Sequence, residues 1–160
     1  LARLGITGHR DLTPKTAELT YRAIRRALSA YQARELTGVS CLAAGADSIF
    51  AQAVLDLGGR LEVVLPASDY RERTIEPSHV PRFDELLRRA IHVRTMPYAE
   101  SGRDAYEAAN RHLVSSCERL FAVWDGQPAG GRGGTADVVR YASTRGVPVE
   151  IVWPAGAERG

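Results

Sequence analysis

Cysteine is scarce. Two thiols in 160 residues, Cys41 and Cys117, are too few and too far apart for a disulfide-stapled small domain or a metal cluster, so both are expected to be packed in the core. No apolar run is long enough to span a bilayer, and no basic start with a hydrophobic stretch behind it reads as a secretory leader, so a cytoplasmic location is expected. Charge of one sign is missing too: 21 basic and 19 acidic residues are spread along the chain for a net +2, and without a basic stripe polymeric nucleic acid is not an expected partner. No lysine follows the glycines in a Walker arrangement, which disfavours P-loop ATP hydrolysis. No metal, no resident cofactor, no internal repeat and no low-complexity segment are expected.

What is present is an alternation of short apolar runs with amphipathic stretches. Strands are expected at 4–7, 36–42, 61–65, 91–94, 120–124 and 147–153, and helices at 14–33, 46–57, 82–90, 103–116 and 136–144. Thr13 as N-cap and Pro14 at the first helical position open the first helix, with Leu19, Ala23, Ala27, Leu28 and Tyr31 as its expected buried stripe. Continuously apolar strands separated by helices predict a Rossmann-like three-layer α/β/α domain with a mostly parallel sheet of about six strands. One domain over residues 1–154 is expected, with 155–160 as a frayed tail.

In such sheets ligands gather beyond the carboxyl ends of the strands, where strand order reverses. Three junctions there are built from small and polar residues. The first carries Thr7, Gly8, His9 and Arg10: a hydroxyl, a glycine open to close approach, and two groups able to hold an anion, although His9 also fits a packed ring. The second carries Gly45 and Asp47, the latter either bonding a ribose hydroxyl or capping its own helix. The third is a loop with five glycines between Trp124 and Thr135, in which Asp125, Gly126, Gly133, Gly134 and Thr135 are the expected ligand-facing residues and Arg132 an added charge. Glycine amides ahead of a helix present N–H groups beside the positive end of its dipole, which suits phosphate. Tyr106 and Asn110, four apart on one helix, could offer a ring and an amide to a base or ribose, or serve as core and cap. Glu107, Glu118, Asp125 and Asp137 are the candidate catalytic carboxylates, with Asp125 best placed, and no catalytic residue is assigned. The polar stretch 67–81 and Arg82, Arg88 and Arg89 read as solvated surface, with a lid as the lesser alternative.

On these residues the chain resembles the SLOG superfamily, which joins DprA-like proteins, LONELY GUY phosphoribohydrolases and sensor domains of nucleotide-signalling systems. Gly5 to Arg10, Ala44-Gly45-Ala46-Asp47, Trp124-Asp125-Gly126, Gly133-Gly134-Thr135 and Gly146-Val147-Pro148-Val149 carry the likeness. The phosphoribohydrolases have an Arg-Lys pair and a Glu that cleave an N-glycosidic bond. Those positions fall here on Ala109-Asn110 and on Val138, so the resemblance implies the phosphate grip without that chemistry. Arg111 and Asp137 lie one residue away, about 100° round a helix. The resemblance also implies a homodimer. The function expected is binding of a nucleotide or a phosphoribosyl or NAD-derived ligand, as a sensor or binding module. The alternative is a nucleotide N-glycosidase or deoxyribosyltransferase-like enzyme.

Overall fold

The computed structural model describes residues 1–128 and 134–160. Six strands, β1 (Ala2–Gly8), β2 (Leu36–Ser40), β3 (Arg60–Leu65), β4 (His92–Thr95), β5 (Arg119–Val123) and β6 (Val149–Ile151), form one sheet in the order β4-β3-β2-β1-β5-β6. Every pairing between these strands is parallel. The chain builds outward from β1 to β4, then returns to lay β5 on the other side of β1. The order therefore reverses between β1 and β5, which sets a crevice at their carboxyl ends. β4 takes the outer edge, a position the sequence leaves open, and all four of its residues are exposed.

Helices α1 (Pro14–Leu28), α2 (Ala46–Asp56), α3 (Tyr70–Arg73), α4 (Val80–Arg88), α5 (Arg103–Ser115) and α6 (Thr135–Thr144) cover the sheet. Alternation along β1 explains the layers. Leu4 and Ile6 join Ile24, Leu28, Phe50 and Val54 in the core beneath α1 and α2, while Val39 and Leu120 meet Ala109, Leu113, Val138 and Ala142 beneath α5 and α6. A third cluster ties Leu61 and Val63 to Tyr70, Ile75, Phe83 and Leu86.

The expected boundaries shift in places. α1 begins as predicted, with the Thr13 hydroxyl accepting from the Thr16 amide. It stops at Leu28 rather than Ala33, because Ser29 turns its hydroxyl onto the Arg26 carbonyl and a separate 3-10 turn (Ala33–Glu35) leads into β2. Its buried stripe runs through Thr16, Thr20, Ile24 and Leu28, with Ala23, Ala27 and Tyr31 at its flank. The stripe was read one position off because two of its members are threonines. β6 is shorter than expected. Residues 67–81 are not plain surface: Tyr70 and Ile75 are buried, and Arg71 grips Asp84 through two bonds of 2.8 Å. The tail does not fray either. Arg159 forms an antiparallel bridge with Leu12, the Glu158 amide donates to the Thr16 hydroxyl at 2.7 Å, and the Gly160 amide donates to the Asp11 carbonyl.

Among the described residues no helix is long and apolar enough to cross a membrane. Both cysteines are buried free thiols, as expected.

Candidate functional site

A cavity of about 1030 Å³ opens at the carboxyl edge of the sheet, over the β1–β5 crevice. Thr7, Gly8, His9, Arg10, Asp47, Asn110, Gly134 and Thr135 all line it, so eight expected residues from four separate segments meet on one wall. Gly133, like Arg132, lies outside the described residues. Gly45, Asp125 and Gly126 do not line the cavity, each for a physical reason.

Gly45 serves the fold. Its φ is +77°, and a Cβ there would sit 2.5 Å from the His9 carbonyl oxygen and 2.8 Å from the Arg10 Cα. The residue lets the β2–α2 turn lie directly on the β1–α1 turn, and the Ala46 amide donates to that same carbonyl at 3.1 Å. Gly8 combines both roles, lining the cavity while a Cβ on it would meet the Ala46 Cβ at 2.5 Å and the Val123 carbonyl at 2.8 Å.

Asp125 is occupied locally. Its Oδ1 accepts from the Gln127 amide at 3.0 Å across a turn that Gly126 permits with φ +83°. The His9 Nε2 stands 3.1 Å from the Asp125 amide and 3.2 Å from Oδ1, and Arg159 approaches Oδ2 at 3.9 Å. The Gln127 N–H above all, then the charges of His9 and Arg159, hold the Asp125 carboxyl below its ordinary value. His9 is buried, edge-on to Trp153 at 5.6 Å. It both lines the cavity and fastens β1 to the loop after β5.

The other catalytic candidates face elsewhere. Glu107 pairs with Arg111 at 3.1 Å, Asp137 pairs with Arg140 at 3.3 Å, and Glu118 is exposed at the start of β5, its amide on the Arg3 carbonyl. Arg111 stacks over Tyr141 at 5.3 Å. Ala109 and Val138, where the phosphoribohydrolases carry catalytic groups, are core residues.

Asp47 is the carboxylate that matters inside. It is 9% exposed, lines the cavity and accepts from the Ala43 amide at 3.2 Å, which ties the loop ahead of α2 to the helix without capping it. Burial raises its pKa to about 7, against the opposing effects of the Ala43 N–H and the Arg10 charge. A buried group that titrates near neutrality beside a cleft is a functional-site marker.

His79 is the residue that sequence reasoning missed, hidden in the stretch read as surface. Its Nε2 lies 3.0 Å from the Ser48 hydroxyl and 3.3 Å from the Leu42 carbonyl. Ser48 spends its one hydroxyl proton on the Ala43 carbonyl at 2.7 Å, so the histidine nitrogen must carry a proton toward both acceptors. This hydrogen-bond balance makes His79 a donor and excludes it as a base for Ser48 in this arrangement. Burial lowers its pKa. The work done is local: Leu42 holds φ +58°, rare for a non-glycine residue, and its amide is held by the Ser40 hydroxyl at 3.1 Å while His79 takes its carbonyl. An S-x-H signal that could have flagged this knot does not exist, because its members are 31 residues apart.

Two helices begin at this cavity without a side-chain cap: α2 after Gly45 and α6 after Gly134. Thr7, 8% exposed, adds a cavity-lining hydroxyl with no hydrogen-bond partner among the described residues. Tyr106 donates to or accepts from Thr74 at 2.6 Å, and Arg103 and Arg159 join Arg10 among the lining cations. No group of three or more metal-ligating side chains occurs among the described residues.

No protein-family model matches the chain, and no curated protein matches it in sequence. Solved structures do. DNA processing protein A from Streptococcus pneumoniae superposes with a TM-score of 0.71 at 19% identity, over 98% of this chain and 52% of that one. This chain thus spans about half the length of that relative. A Helicobacter pylori DNA processing protein A, described for its single-stranded DNA binding mode, gives 0.69 at 16% identity over 99% of this chain and 68% of that one. The molybdenum cofactor binding protein of Rippkaea orientalis gives 0.63 at 14% identity, covering 96% and 77%. The fold is therefore the Rossmann-like one shared by these proteins.

Proposed function

We propose that this domain is a binding module for a nucleotide or a related phosphoribosyl ligand, held in the cavity at the carboxyl edge of the sheet. The observation that carries the reading is Thr7: a cavity-lining hydroxyl with no hydrogen-bond partner among the described residues, where two helices start at N-cap glycines. The hydroxyl faces the cavity, where a ligand oxygen can take the place of water as its partner. The phosphate rests at the start of α6, with Gly134 and Thr135 and the charge of Arg159 beside it, and the sugar lies between Thr7 and Asn110. Proteins of the same fold described as binding single-stranded DNA or a molybdenum cofactor support a ligand-binding role for this fold.

Binding rather than glycosidic cleavage is favoured because Ala109 and Val138 are packed into the core and their charged neighbours Arg111 and Asp137 do not line the cavity. Titration calorimetry against nucleoside monophosphates and dinucleotides tests the proposal, and Trp124 in the cavity wall provides a parallel fluorescence signal. Saturable one-to-one binding is expected. Silence across the whole panel would sink it.

A second reading rests on the Helicobacter pylori relative and on the three lining arginines, Arg10, Arg103 and Arg159. With it, the expectation that polymeric nucleic acid is no partner loses its support. Fluorescence anisotropy with a labelled single-stranded oligonucleotide separates the readings: a strand held mainly by phosphates weakens steeply with salt, and a mononucleotide in excess displaces it only if both share the cavity.

A further inference from the structure

One wing of the cavity is largely apolar, although Asp47, Thr74 and Glu76 also line the cavity. Pro66, Tyr70, Ile75 and Tyr106 line this wing, with the Tyr70 and Tyr106 rings 6.4 Å apart and edge-on. Asp47 is set beside Tyr70 and Cys41 on one side and the Arg10 charge on the other. The carboxylate's only protein hydrogen bond among the described residues is the 3.2 Å contact from the Ala43 amide. An ionised carboxylate offers about four acceptor sites, so most of this one's capacity is unused in a space a ligand can enter.

The chemistry of the occupant follows by elimination. A phosphate against Asp47 would set like charges together, and an aliphatic group would leave the carboxylate dry. A planar heterocycle fits: its faces are apolar and its donors lie on one edge, which is how base pockets divide their work.

We propose that Asp47 reads the nucleobase, accepting a hydrogen bond from an exocyclic amino group, so that the site selects amino-bearing bases over those with a carbonyl in the same place. This rests on the nucleotide reading above and moves Asp47 from the ribose to the base. It assigns the two ends of the ligand: phosphate at α6, amino edge at α2.

The test uses the intact chain and matched ligands: AMP against IMP and CMP against UMP, which exchange an amino group for a carbonyl, and GMP against IMP, which exchanges one for hydrogen, by calorimetry at about pH 8. In at least one pair the amino member is expected to bind about tenfold tighter or more, the usual worth of a bond to a charged acceptor. Asp47→Asn, whose amide can also donate, should level that preference or reverse it. The preference should shrink at about pH 6, because protonated Asp47 is the poorer acceptor; Cys41 and Tyr70, both raised by burial, stay protonated over that range. Equal affinities within every pair, with binding intact, overturn the assignment and leave the nucleotide site standing. Absence of binding by all five nucleotides overturns both. The wild-type comparison decides the matter even if the variant does not fold.

Discussion

Replacing Asp47 with asparagine should stabilise the protein at neutral and alkaline pH, although it removes a residue of the site. The carboxyl is 9% exposed and titrates at about 7, against an ordinary 3.8. A raised carboxyl pKa means that folding favours the protonated form. Its contribution to stability is greatest below the unfolded pKa, falls as pH rises from about 3.8 to about 7, and is flat above that. Each tenfold change in ionisation constant is worth ~1.4 kcal/mol, so the whole penalty is about 4 kcal/mol, with about 2–3 of it appearing between about pH 5 and about pH 8. Asparagine keeps an oxygen for the Ala43 amide and carries no charge. Its extra N–H donors cost about 1 kcal/mol where cavity water serves them poorly. Urea denaturation of both proteins at the two pH values should therefore show the variant more stable by about 1–3 kcal/mol at the higher pH and level with the parent, or below it, at the lower. A stability difference that is the same at both pH values would refute the reasoning, because it would mean that Asp47 ionises as freely in the folded chain as in the unfolded one.

Three further outcomes follow from single contacts. Thr7→Val removes a hydroxyl that bonds nothing among the described residues, so the melting temperature should hold or rise while nucleotide affinity drops about fivefold or more; a loss of stability would show that the hydroxyl has a structural partner. Gly45→Ala must place a methyl 2.5 Å from a backbone oxygen at φ +77°, and should lose more than about 2 kcal/mol in urea titration, whereas parental stability would mean that the two turns can part at no cost. Arg159→Ala breaks an exposed pair with Asp11 and should change stability by less than about 1 kcal/mol, yet weaken nucleotide binding measured at low salt; unchanged affinity would remove Arg159 from the phosphate end.

The alternating pattern made the parallel sheet legible in the sequence, since a buried strand such as β5 is almost wholly apolar and helices such as α1 and α4 are plainly amphipathic. The site was legible in outline because each small-residue junction ends a strand, and parallel strands bring all such ends to one edge. What pattern could not reveal was how a residue divides its duties. Gly45 and Asp125 have the right types in the right places, and only the approach of neighbouring turns shows that one spaces the backbone and the other caps a loop. His79 escaped notice for the complementary reason: its partners Leu42 and Ser48 lie far off in sequence, and a histidine in a polar stretch carries no local mark of burial. The strand order was equally out of reach, because a short, exposed β4 could have paired on either side until β3 claimed it.

The docked tail has a practical reach. The amides of Glu158 and Gly160 are spent on Thr16 and Asp11, and Arg159 borders the cavity, so any fusion made after Gly160 emerges at the doorway through which a ligand must pass. Leu1, 85% exposed, begins β1 at the far end of the sheet. An affinity handle, a dye or a surface tether attached there leaves the entrance clear, whereas the same attachment at the other terminus would compete with the ligand and make a working receptor look inert.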